Sequence, residues 1–203
     1  MSLVLDSSIT QIFTKSGTEI TKVVRKSDGA VLWEKITAYY AYQNGVANTA
    51  KGITNPTLTY SVVKGGSFVT QPYIEVYKDG ICTRAQVKAN KGSDGQEWHM
   101  TTPNLPTNGQ TTVKIDLVQG DDNTSGTGGC TNYVIVYGVS SGGTETELYN
   151  NPFNGVNYPM EVTLDVSSYA NIKVVIKVIT GATAGVALNR TPYQGIKNVY
   201  FYS

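Results

Sequence analysis

The sequence predicts an all-β, antiparallel sandwich. Apolar side chains recur at every second position, Gly- and Asn-centred turn pairs separate those stretches, and no segment sustains a 3.6-residue apolar period with caps. Composition agrees. Charged residues make up 15% of the chain against roughly 25% in typical soluble domains. Long solvated helices, which carry Glu, Lys and Arg on their exposed faces, are therefore disfavoured. With 203 residues, 40% of them hydrophobic, the chain is long enough to bury a core and too apolar for disorder.

Taken in order, the first element is a hairpin over residues 20–35, in which ITKVVRK and AVLWEK flank Ser27-Asp28-Gly29. Its faces are mixed: Ile20 and Val24 share a side with Lys22 and Lys26, while Val31 and Trp33 share one with Lys35. A lone two-stranded hairpin is marginal in water, so this element must dock on the main domain or on another chain. A boundary near Ile36 follows, with a docking and assembly hairpin over 1–36 and a sandwich over 37–203. Ile20, Val24, Val31 and Trp33 are the assembly candidates.

Within the sandwich, YIEVYK and ICTRAQVKA flank Asp79-Gly80, a two-residue hairpin signal. Ile81, Thr83, Ala85, Val87 and Ala89 alternate with Cys82, Arg84, Gln86 and Lys88, which puts Cys82 on the polar side. Val113, Ile115 and Leu117 alternate with Thr112, Lys114 and Asp116, and Val162, Leu164 and Val166 alternate with Glu161, Thr163 and Asp165; each set reads as a strand with one wet face. Tyr133 to Val139 and much of Ile172 to Ile179 are apolar on both faces and are candidates for central strands covered on both sides or lying under a loop. Further turns are expected at Asn44-Gly45, Gly65-Gly66, Asn108-Gly109, Gly142-Gly143 and Asn154-Gly155, and a flexible loop over 121–129, DDNTSGTGG.

Charge excludes several function classes. Sixteen basic and fifteen acidic side chains leave a net charge of +1, and residues 1–36 hold five basic and four acidic groups. No segment forms a basic footprint, so nucleic acid is not an expected partner. No apolar run approaches the ~18 residues that span a bilayer, so membrane insertion is not expected. MSLVLDSSIT lacks a basic n-region and does not read as a secretory signal. One histidine and two cysteines cannot supply a four-ligand zinc site, no metal or cofactor is expected, and spacing does not decide whether Cys82 and Cys130 pair.

The candidate chemistries fail on context. Gly138-Val139-Ser140-Ser141-Gly142 matches a nucleophile elbow, but no helix follows and the only histidine, His99, lies upstream. Glu145 and Glu147 would share a strand face roughly 6.6 Å apart, a separation that glycoside hydrolysis accepts and that any wet strand also gives. Asp121, Asp122 and Asn123 lack the spacing of a calcium loop. Gly126, Gly128 and Gly129 lack the Lys-Ser/Thr and the helix of a phosphate loop. The chain is therefore expected not to be an enzyme. The aromatic residues are more suggestive. Tyr39, Tyr40, Trp98, Tyr149, Tyr158 and Tyr193 are the candidates for contact with a glycan or a protein, because rings with a polar handle suit both.

Two stretches carry family resemblances. ITQIFTKSGTEITKVVRKSDGAVLWEK resembles the short terminal hairpin of bacteriophage tail and other virion proteins, in which an I-x-K-V strand precedes a turn and a V-L-W-E strand. MEVTLDVSSYANIKVVIKVITG with GIKNVYFYS is similar to the closing strands of jelly-roll carbohydrate-binding modules and lectin-like adhesion domains. Together they imply a jelly-roll-like sandwich in a virion structural or adhesion protein. Other virion proteins, further copies of the chain and a cell-surface glycan are then the expected partners. Such a protein is assembled in the host cytoplasm and needs no signal peptide. The alternative is a secreted-type carbohydrate-binding module of a larger enzyme.

Overall fold

The computed structural model describes residues 12–13, 19–20, 22–24, 31–34, 38–64, 67–89, 95–121, 129–152, 161–181 and 188–203. Four short strands come first: β1 (Ile12–Phe13), β2 (Glu19–Ile20), β3 (Lys22–Val24) and β4 (Val31–Glu34). β1 pairs with β2 and β3 with β4, as two separate two-stranded sheets, the second with Val23 opposite Trp33.

The remaining strands form two antiparallel sheets packed as a sandwich. One holds β7 (Thr57–Lys64), β10 (Gly95–Thr101), β11 (Leu105–Pro106), β13 (Gly129–Val139), β14 (Glu145–Pro152) and β16 (Asn171–Gly181). The other holds β5 (Tyr39–Gln43), β6 (Val46–Ala47), β8 (Ser67–Tyr77), β9 (Gly80–Ala89), β12 (Thr112–Asp121), β15 (Glu161–Asp165), β17 (Leu188–Arg190) and β18 (Pro192–Tyr202). The order of the first is β14-β13-β16-β10-β7. In the second, β18 is central: β12 lies along one edge, and β9 then β5 along the other.

Alternation builds these sheets because successive side chains point to opposite faces. Val113, Ile115 and Leu117 of β12 are interior while Lys114 and Asp116 face out, and Val134 and Val136 of β13 meet Ile172, Val174, Ile176 and Val178 of β16 in the core. β13 and β16 do occupy inner positions of their sheet, as their apolar sequences predict.

The turns follow the sequence signals with one shift. Asn44-Gly45 and Asn108-Gly109 both have positive φ at both residues. The β8–β9 hairpin, however, turns on Lys78-Asp79 (φ 51° and 60°), and Gly80 pairs with Tyr77 inside the ladder. Gly80 serves close approach rather than turning: a Cβ there would sit 2.3 Å from Val118 Cγ1. The turns expected at Ser27-Asp28-Gly29, Gly65-Gly66 and Asn154-Gly155, and the loop after Asp121, lie outside the described residues.

Cys82 departs from its expected wet position and is fully buried. Its alternation is intact, but the Tyr77 ring from β8 reaches across β9 to meet Tyr193 of β18, covering the intervening residues. The thiol is free and donates to the Tyr77 carbonyl at 3.3 Å. Burial, reinforced by the Glu75 charge, pushes its pKa up to about 12, against smaller opposing effects of Arg84 and the Tyr77 hydrogen bond. Burial also lifts the Tyr39 and Tyr42 phenols well above their ordinary 10.0. Unfolded chains release these protons first, so above pH 9–10 the unfolded state binds fewer protons than the folded one and stability falls as pH rises. Urea midpoints at neutral pH and above pH 10 are expected to differ in that direction; an unchanged midpoint would contradict the burial of these groups.

Candidate functional site

The outward face of the eight-stranded sheet gathers tyrosines, and cross-strand register places them. Tyr73, Arg84, Tyr193 and Gly120 lie directly opposite one another on β8, β9, β18 and β12 and therefore share a face. Tyr77, four residues beyond Tyr73 on β8, projects the same way. Its ring meets Tyr193 edge-on at 5.0 Å, and the Arg84 guanidinium lies 4.2 Å above it. Arg84 is fixed in turn by Glu75 at 2.5 Å. Gly120 lets Tyr193 lie down on the sheet: a Cβ there would come within 2.2 Å of the Tyr193 hydroxyl.

A second cluster occupies the other end of the same face. Tyr40 of β5 pairs with Tyr200 of β18, which pairs with Lys114 of β12. The Tyr40 and Tyr200 rings meet at 4.6 Å, and Tyr200 stacks on Tyr202 at 5.5 Å. From Tyr193 to Tyr200 the strand runs alongside six steps of β12, Gly120 to Lys114, a span of about 20 Å. Between the clusters, Asn198 donates to Asp116 at 2.8 Å and accepts from the Asn44 backbone at 2.9 Å.

Several charges on this face are paired. Lys114 binds Glu161 at 2.7 Å, and the Glu161 carboxylate holds the lysine pKa above its ordinary value. Lys197 sits 3.9 Å from Asp79. The face thus offers flat apolar rings beside neutral hydrogen-bonding groups and compensated ions, with no stripe of free cations for a phosphate backbone among the described residues.

The outward face of the six-stranded sheet differs in kind. Lys173 pairs with Glu145, and Lys177 (3.2 Å) and His99 (2.7 Å) both bind Glu97. Partial burial pushes the Glu97 pKa up, but hydrogen bonds from His99 and Lys177 outweigh it and hold the carboxyl below its ordinary value. Thr59, Tyr60, Ser61, Glu97 and His99 line an open cleft of about 180 Å³.

The other sequence candidates resolve as follows. Tyr40 and Tyr193 are on the tyrosine face. Tyr39 and Trp98, expected to contact a ligand or partner, are instead interior at 7% and 0% exposure. Tyr39 stacks on Phe201 and donates its hydroxyl to the Pro106 carbonyl, and Trp98 packs edge-on against Phe68 at 5.9 Å. Tyr149 is half-buried on β14, in the opposite sheet. Tyr158 lies outside the described residues, as do the side chains of Ile20, Val24, Val31 and Trp33. Ser140 Oγ accepts from the Thr144 backbone at 3.1 Å in a tight turn. Glu145 is held by Lys173 and Glu147 by Asn150, so these two carboxylates are not set up as an acid–base pair. Sequence reasoning missed Tyr73, Tyr77, Tyr200, Tyr202 and Arg84.

No family model matches the chain, and no curated protein matches it. Among solved structures it is similar to the enzymatically active domain of tailspike protein 4 of bacteriophage CBA120, with 9% identity and a TM-score of 0.41, over 79% of this chain and 21% of that one. It is also similar to a family 11 carbohydrate-binding module from Clostridium thermocellum in complex with a β-1,3-1,4-mixed-linked tetrasaccharide (10%, TM-score 0.40, 84% and 98% covered). A carbohydrate-binding module described for specific mannan recognition, TmCBM27, follows (7%, 0.36, 74% and 99%). At these identities and scores, the function rests on the geometry of the site itself.

Proposed function

We propose that this chain is a non-enzymatic glycan-binding protein whose ligand lies along the tyrosine face, and that it serves as a structural or adhesion component of a bacteriophage virion. One observation carries the glycan reading: Tyr73, Tyr77 and Tyr193 at one end and Tyr40, Tyr200 and Tyr202 at the other share one sheet face, with paired charges and amide groups beside them. Sugar rings present apolar C–H faces and peripheral hydroxyls, which such a surface matches by stacking and hydrogen bonding. The virion role is supported by the resemblance of residues 1–36 to virion hairpins, and many copies would turn weak individual sites into avidity.

The test is a glycan array followed by titration calorimetry on the full chain. Tyr193→Ala and Tyr200→Ala are each expected to weaken binding of any neutral oligosaccharide hit about tenfold, equivalent to about 1.4 kcal/mol. Tyr60→Ala, at the edge of the other sheet, should leave affinity unchanged. An intact fold by circular dichroism with no glycan bound would remove the glycan reading. For the virion role, chain lacking residues 1–36 should be missing from purified particles; its incorporation would end the docking assignment.

A further inference from the structure

The interior of the sandwich is not uniformly apolar. At the end where β12 leads toward β13 and β16 toward β17, polar side chains project inward from both sheets. On the eight-stranded sheet, Gln119, Gln194 and Thr83 lie directly opposite one another on β12, β18 and β9. On the six-stranded sheet, Asn132 and Trp98 lie in one row across β16, with Thr180 and Gln96 paired in the adjoining inward row. The two sets face each other. Asn132 donates to Gln119 across the sandwich at 3.2 Å, and β16 lies against β18 and β10 against β9, which sets Trp98 and Gln96 on the side of Gln194 and Thr83.

Beside that direct bond, the two rows carry polar atoms that are not joined to one another. Gln96 Nε2, Trp98 Nε1, Thr83 Oγ1 and Gln194 Oε1 are buried without a hydrogen-bond partner, in residues 0–1% exposed. Thr180 Oγ1 accepts from the Gln96 backbone N–H at 3.1 Å and donates to Gln96 Oε1 at 2.6 Å, with the Gln96 carbonyl farther away at 3.4 Å; the amide NH2 is the group left without a partner. Both pure donors therefore come from one sheet, and the glutamine acceptor and the threonine hydroxyl come from the other.

Orphaned polar atoms of this kind are costly in a low-dielectric interior, and four on facing rows at one end of the sandwich point to a common occupant. It must accept from an amide and an indole N–H, donate to an amide oxygen, and either donate to or accept from a hydroxyl. We propose that this end of the sandwich is a built water site, in which one or more ordered water molecules bridge the sheets from Gln96 and Trp98 to Gln194 and Thr83. Water has two donors and two acceptors and typically makes about three bonds when buried. The site is independent of the glycan reading, because its residues point into the sandwich while Tyr193 and Arg84, their chain neighbours, point out.

A crystal structure showing ordered solvent is expected to place water within hydrogen-bonding distance of Trp98 Nε1 or Gln96 Nε2 and of Gln194 Oε1 or Thr83 Oγ1. In solution, the Trp98 indole N–H should give a direct nuclear Overhauser effect to water of long residence. Trp98→Phe and Gln194→Met, made singly, should each lower the melting temperature, and the double variant should lose less than the sum, because together they vacate one shared site. A dry interior with direct contacts between these groups would overturn the proposal. So would the absence of a water cross-peak in the folded wild-type chain, which needs no variant to fold.

Discussion

Replacing Gly195 with alanine is expected to cost the protein a large share of its stability. Gly195 sits on central strand β18 opposite Cys82 of β9, and a Cβ there would lie 2.2 Å from the Ile81 carbonyl oxygen and 2.7 Å from Cys82 Cα. Both are backbone atoms, so no rotamer change can relieve the clash; the strands must part. Parting them disrupts pairing over Tyr193 to Ile196, the segment that joins β9 and the β8 hairpin to the rest of the sheet. Overpacking of this kind costs about 3 kcal/mol or more, a large share of the roughly 5–15 kcal/mol that holds a domain folded. The urea midpoint should fall steeply or the chain should become insoluble. Gly142→Ala is the control, since its Cβ would meet nothing nearer than Ser140 Oγ at 3.8 Å, and it should change stability by less than about 0.5 kcal/mol. A wild-type midpoint for Gly195→Ala would show that β18 and β9 are not so closely apposed.

What the sequence made legible was the local geometry of strands. Period two in β12 and β15 and the apolar runs of β13 and β16 are properties of single segments, and they predict which elements are central or wet. The composition of the tyrosine face was not legible, because it depends on register between segments. β18 shows why. Strict alternation would put Tyr193 and Tyr200 on opposite faces, but the register shifts between Asp116 and Leu117 of β12, where the pairing on β18 skips Lys197. That extra residue flips the parity, so Tyr193, Tyr200 and Tyr202 all face out. Adjacent Tyr39 and Tyr40 must take opposite sides, and only their pairing with Phe201 and Tyr200 says which is inside. For Trp98 the signal was present: Gln96, Trp98 and Met100 alternate with Glu97 and His99, and charged 97 and 99 facing water require 98 to face the core. Cys82 shows the remaining gap, since its strand alternates correctly and a ring from the next strand covers it.

The same parity argument makes Phe201→Ala the second large prediction, paired with Tyr202→Ala. Phe201 is fully buried, stacks on Tyr39 with ring centroids 5.1 Å apart and planes 11° from parallel, and belongs to the core shared with Val113 and Val199. Truncation removes the ring's transfer energy and leaves a cavity, because Tyr39 is tethered through its hydroxyl to the Pro106 carbonyl and cannot collapse into the space. A loss of about 3–5 kcal/mol is expected. Tyr202, the next residue, lies on the outward face against Tyr200, so Tyr202→Ala should cost about 1 kcal/mol or less and act instead on ligand affinity. Denaturation and calorimetry on the two variants therefore separate the core face of β18 from its outward, proposed binding face within one dipeptide. Equal destabilisation by both would mean that the bulge near Lys197 does not set the parity, and the tyrosine face would lose Tyr200 and Tyr202 together.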